Sequence, residues 1–119
     1  MSTEIAISDE TVRSKIFHLR GVKVMLDRDL AVLYNVKSIR LREQVKRNIK
    51  KFPPHFMFQL TEEEVNTMVS QNAIPSIQHL GGSQPYAFTE HGALQLASVI
   101  RSDRAIQMSI KIIEVFVIL

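Results

Sequence analysis

The side chains of this sequence best placed to do chemistry are cations. Lys37, Arg40, Arg42, Lys46, Arg47, Lys50 and Lys51 fall within one short segment, where Glu43 is the single acid. That segment carries a net +6 while the whole chain carries +3, so everything outside it is acidic by 3. A field concentrated in this way suits a polyanion, because each neutralised phosphate releases condensed counterions. A solvated helix face with no partner usually mixes both signs.

The constellations that would support catalysis or metal binding do not assemble. His18, His55, His79 and His91 lie in four separate segments without ligand spacing, so no metal site is expected. Thr89-Glu90-His91-Gly92 puts an acid beside a histidine. Adjacent helical residues point about 100° apart, however, and a cap followed by first-turn charge explains the pair better. Glu62-Glu63-Glu64 reads in the same way as a helix start. Gly81-Gly82 follows no strand and has no accompanying lysine, so it is no phosphate loop. With no cysteine and no nucleophile–base pair, the chain is expected to be no enzyme and to need no cofactor.

The remaining totals bound the setting. A chain of 119 residues with 45% hydrophobic and 23% charged residues supports one domain with a real core. The N-terminus has no basic and apolar leader, and no run reaches the ~18 apolar residues of a membrane span. A soluble, cytoplasmic protein without membrane contact is expected.

The elements that must position the cations follow from periodicity and punctuation. Residues 1–15 form a polar arm, or at most a weak first turn, ahead of a domain spanning 16–119. "KIFHLRGVKVML" alternates on either side of Arg20-Gly21 and predicts a β-hairpin. Asp27 offers an N-cap for a helix running to Tyr34, with Leu30, Leu33 and Tyr34 on its apolar face; Asn35 closes it in the left-handed conformation. A second helix spans 38–50 and stops at "FPPH". "FMFQL" predicts a strand, Thr61 with Glu64 a capping box opening a helix to Gln71, and 72–85 a Gly/Pro/Ser/Gln-rich loop. "YAF" adds a short strand, Thr89 caps a helix to Ile100, and Ser102 caps a last one over 103–119. The fold class is therefore α+β, with about five helices and short hairpins.

In the last helix Gln107, Lys111 and Glu114 form a narrow polar stripe and most other positions are apolar, which places it in the core or against a partner. It reaches Leu119 without cap, glycine or polar tail, so the chain reads as the N-terminal piece of a longer protein. A homodimer through this helix, or a protein partner on it, is the accompanying expectation.

The first two helices meet the spacing of a helix-turn-helix. Ala31 supplies the small residue at the crossing, Asn35 the positive φ, Val36 and Leu41 the buried positions that follow. Projected as a helix, Ser38, Leu41, Val45, Ile49 and Phe52 share a stripe about 80° wide. Ile39, Arg40, Glu43, Lys46, Arg47 and Lys50 take the opposite side, flanked by Arg42, Gln44 and Lys51. In the major groove of duplex DNA, Lys37, Ile39, Arg40 and Glu43 would lie nearest the base edges. Arg40 is suited to guanine and Ile39 to a thymine methyl. Lys46, Arg47, Lys50 and Lys51 would serve phosphates, and Ser38 and Arg42 complete the expected DNA-contacting set. The alternatives are a plain αα-corner, a protein-interaction module that sequesters a repressor, or a reader of duplex RNA.

Four blocks carry a wider resemblance: "GVKVMLDRDLAVLYNV", "LREQVKRNIKKFPPHFMFQLTEEE", "YAFTEHGALQLASVI" and "RAIQMSIKIIEVFV". In order and spacing they resemble the KilA-N superfamily, closest to the N-terminal domain of phage and prophage antirepressor-type proteins named after "ORF six". The resemblance implies a small α+β DNA-binding domain, N-terminal to a variable second domain, in a transcription regulator or antirepressor. Relatives carry basic and aromatic residues around the Gly-Gly loop, a pattern from which "HLGGSQP" departs.

Overall fold

Residues 16–26 fold back on themselves because Arg20 and Gly21 both take positive φ, 54° and 77°, the twist that a tight two-residue hairpin turn demands. The computed structural model describes residues 7–76 and 83–118. In it β1 (Ile16–Leu19) pairs antiparallel with β2 (Val22–Leu26), Leu19 opposite Val22. Two three-residue strands, β3 (Met57–Gln59) and β4 (Tyr86–Phe88), complete a four-stranded sheet of order β1-β2-β4-β3.

The sheet is buried on both faces. Met25, Phe88 and Met57 share one rung and face the larger core; Leu26, Ala87 and Phe58 share the next and face the smaller one. On the smaller side lies α4 (Glu62–Ser70), contributing Val65 and Met68. The expected capping box opens it: Thr61 Oγ1 accepts from Glu64 N, and Glu64 Oε1 accepts from Thr61 N. On the larger side lie α2 (Asp27–Leu33), α3 (Ser38–Arg47), α5 (Glu90–Ile100) and α6 (Asp103–Ile118). The α+β class and the hairpin are as expected, with six α-helices among the described residues.

The additional helix, α1 (Asp9–Arg13), comes from the segment expected as a polar arm. Ser8 caps it, Lys111 reaches Asp9 at 3.0 Å, and Val12 is buried in the larger core. One apolar residue among polar neighbours has no periodicity to announce it. The loop expected at 72–85 is described only at its ends; residues 77–82, His79 and Gly81-Gly82 among them, lie outside the described residues.

Glycine is obligatory at position 92. A Cβ there would overlap the carbonyl oxygen of Phe56, because α5 starts directly against the chain entering β3. Thr89 fixes the same approach: its N–H donates to Phe56 O at 3.0 Å and its hydroxyl to His55 O at 2.9 Å.

Candidate nucleic-acid interface

The α2–α3 pair is joined by a tight helix ending. Asn35 takes φ 57°, and the N–H groups of Asn35 and Val36 donate to the carbonyls of Val32 and Ala31 at 3.1 and 2.9 Å. This double closure satisfies carbonyls that a helix end leaves open, and it turns the chain sharply into α3. Ala31 and Leu41 are buried, as the spacing required, together with Val45; Val36, expected to be buried, is half-buried against the same core. Tyr34 anchors the end of α2 to α5, its hydroxyl donating to Ala93 O at 2.8 Å; burial pushes that phenol's pKa up.

Asp27 departs from the expected cap. The helix boundary falls at Leu26, which stays extended to pair with Ala87, and Asp27 becomes the first helical residue. Its carboxylate is fully buried and works over a longer range. One oxygen accepts from Arg28 N at 2.8 Å; the other accepts from Arg42 Nε at 3.0 Å and Tyr86 N at 3.2 Å. Arg42, counted among the DNA-facing bases, thus turns inward to hold α3 against α2 and β4.

The second helix also ends earlier than 38–50. It stops at Arg47, where Asn48 (φ −118°) turns its side chain onto Gln44 O at 2.8 Å, and residues 49–51 continue as a 3-10 turn. Asparagine competes for backbone carbonyls in this way and weakens helix interiors. The tighter winding carries Phe52 into the core, where it meets Phe88 edge-on at 6.0 Å. It also turns Ile49 out, 53% exposed, where the projection had it buried.

The outward face keeps its charge. Lys37, Arg40, Glu43, Lys46, Arg47, Lys50 and Lys51 are exposed, Ser38 is half-buried, and Ile39 is 68% exposed among the cations. Of the bases in the segment, only Arg42 has an ion-pair partner among the described residues. Arg47, Asn48, Ile49, Lys50 and Lys51 wall a basic hollow of about 280 Å³ at the end of α3. A second, of about 250 Å³, lies between α3 and α5, lined by Val36, Arg40, Leu41, Gln44 and Ile100.

Three histidines scattered in the sequence come together elsewhere. His18, His55 and His91 line one groove of about 460 Å³ with Lys23, Glu90 and Phe116. The link is the sheet: His18 sits opposite Lys23 on the hairpin, and Phe56 stacks on His91 at 5.4 Å. Among the described residues no group of three or more His, Cys, Asp or Glu is placed to hold a metal ion. No helix among them is long and apolar enough to cross a membrane.

The model of the ORF6N domain matches residues 14–99, from two residues before the hairpin into the last turn of α5. The chain belongs to the ORF6N domain family. This phage-type N-terminal domain family therefore covers the sheet, the α2–α3 pair and α4, while α1 and α6 flank the matched part. No curated protein matches the chain, and no solved structure matches it. Within the ORF6N portion the basic segment, residues 37–51, lies wholly inside the match.

Proposed function

We propose that this ORF6N domain is the duplex-DNA-binding part of a phage- or prophage-type transcription regulator or antirepressor, placed in the KilA-N superfamily, acting in the cytoplasm without catalysis or cofactor. The observation that carries the reading is the outward face of α3 and its 3-10 extension. Six bases, Lys37 at the N-cap included, stand there without an ion-pair partner among the described residues, on a helix held by a left-handed turn and a buried ion pair. The first turn of α3 enters the major groove with Ile39 and Arg40 toward the base edges. Lys46, Arg47, Lys50 and Lys51 follow the phosphates.

Selection of bound sequences from a random duplex pool, followed by anisotropy titration at several salt concentrations, tests it. A recovered consensus with log K falling at a slope of about −3 to −4 against log salt is expected for these four phosphate contacts. Absence of duplex binding at low salt would sink the reading.

One observation favours a second reading, a protein-interaction module. Ile106, Ile110, Ile113 and Val117 recur at four-three-four spacing along α6; Ile113 is half-buried, and the other three are exposed. That spacing is a helix-pairing seam. A homodimer through it would present two α3 helices to a two-fold operator; a repressor seated on it would make the chain an antirepressor instead. Sedimentation of wild type and Ile110→Glu, with and without duplex, separates these outcomes.

A further inference from the structure

Arg101 stands at the corner between α5 and α6 with φ 62°, in the left-handed region where a helix end usually places glycine or asparagine. An arginine held there is less stable than a glycine would be. Its N–H closes α5 by donating to Ala97 O at 3.0 Å, a bond that glycine or asparagine would make equally, while the arginine side chain is exposed and has no hydrogen-bond or ion-pair partner among the described residues. It also lies just beyond the residues matched by the family.

Its neighbours fix where it stands. Arg104 Nε donates to Leu33 O at 3.0 Å, pinning the start of α6 to the last turn of α2. Ile100 shares the 250 Å³ hollow with Val36, Arg40, Leu41 and Gln44, and Gln95 Nε2 donates to Lys51 O at 3.1 Å. The corner is therefore held between both helices of the turn, on the Arg40–Gln44 flank of α3 and beside its N-terminal half. A helix lying in a major groove about 12 Å wide turns its tip to the bases and its flanks to the two phosphate walls.

We propose that Arg101 is a phosphate contact to the DNA strand running along this flank, a basic residue kept at a strained corner for binding rather than for folding. This rests on the reading of α3 as the groove helix. Arg101→Gly and Arg101→Asn both suit the backbone and remove the charge, so they isolate the contact from the fold. Wild type, both variants and Lys46→Ala are titrated with the selected duplex across a salt series, alongside thermal unfolding. The two Arg101 variants are expected to unfold no earlier than wild type, to bind about threefold to tenfold more weakly at low salt, and to lose about 0.9 from the salt slope, with the order of preferred sequences unchanged. An unchanged slope where Lys46→Ala flattens it overturns the Arg101 assignment alone. So does an altered sequence preference, or a lower unfolding temperature in both variants. A wild type that binds no duplex overturns this assignment together with the function on which it rests.

Discussion

Arg42 Nε lies 3.0 Å from Asp27 Oδ2, so the first residue of α2 and the middle of α3 are held by one ion pair whose carboxylate is fully buried. Arg42 therefore holds α3 against α2 while its basic neighbours face outward. Arg42→Met should destabilise the domain by about 3 kcal/mol, because it leaves a buried charge with amide donors only. Urea unfolding measures the loss. Duplex affinity of the folded fraction should fall less than in Arg40→Ala; the opposite ordering would return Arg42 to the contact surface.

The outward face divides by position along α3. Arg40→Ala should relax preference at one base pair by about 1–3 kcal/mol, as loss of a bidentate contact does. Lys46→Ala and Lys50→Ala should weaken all duplexes alike and flatten the salt dependence. Titration against single-base variants of the selected duplex distinguishes them, and three variants with wild-type affinity would rule out the groove assignment.

Acid should loosen the hairpin's attachment to α4. Glu64 is held down to about 2 from its ordinary 4.5, first by the Arg20 guanidinium, which donates to both its oxygens at 2.9 Å, and then, against the opposing effect of burial, by the Thr61 amide. A depressed carboxyl contributes stability that is complete above pH 4.5 and lost as pH falls towards 2. With Arg20 about half exposed and screened by water, the contribution is about 1 kcal/mol. Unfolding midpoints between pH 7 and pH 2.5 should fall more steeply in wild type than in Glu64→Gln. Parallel curves would show that the pair contributes nothing.

Position 92 tolerates no side chain. Gly92→Ala forces α5 away from Phe56 and should cost about 3 kcal/mol, at the upper end of overpacking penalties, or prevent folding. Ser98→Ala, on the exposed side of the same helix, should move the melting temperature by no more than a degree or two. A stable Gly92→Ala variant would show that the α5–β3 approach relaxes freely.

What could be read from the sequence was local. The hairpin at Arg20-Gly21, the capping box at Thr61 and the left-handed Asn35 each follow from a few consecutive residues, and all three stand in the structure. The errors arose where a local rule was carried past its range. A uniform turn of 100° per residue sent Ile49 inward, yet Asn48 changes the winding just before it. Asp27 resembles a cap to anyone counting along the chain, and only the meeting of α2, α3 and β4 reveals its partners. The grouping of His18, His55 and His91 depends likewise on a sheet edge and a helix start that no spacing links. Arg101 gave no signal, since a left-handed arginine has no sequence signature.

The order of the strands also governs when the domain can exist during synthesis. β4 is only three residues long, yet it alone touches both β2 and β3, and it is made last of the four. Until Tyr86–Phe88 leaves the ribosome, Asp27 lacks one of its donors, Phe52 lacks the ring it packs against, and the two halves of the sheet have no edge in common. A nascent chain halted before residue 86 would lack the strand that joins the sheet and the α5 and α6 side chains against which the cationic helix packs.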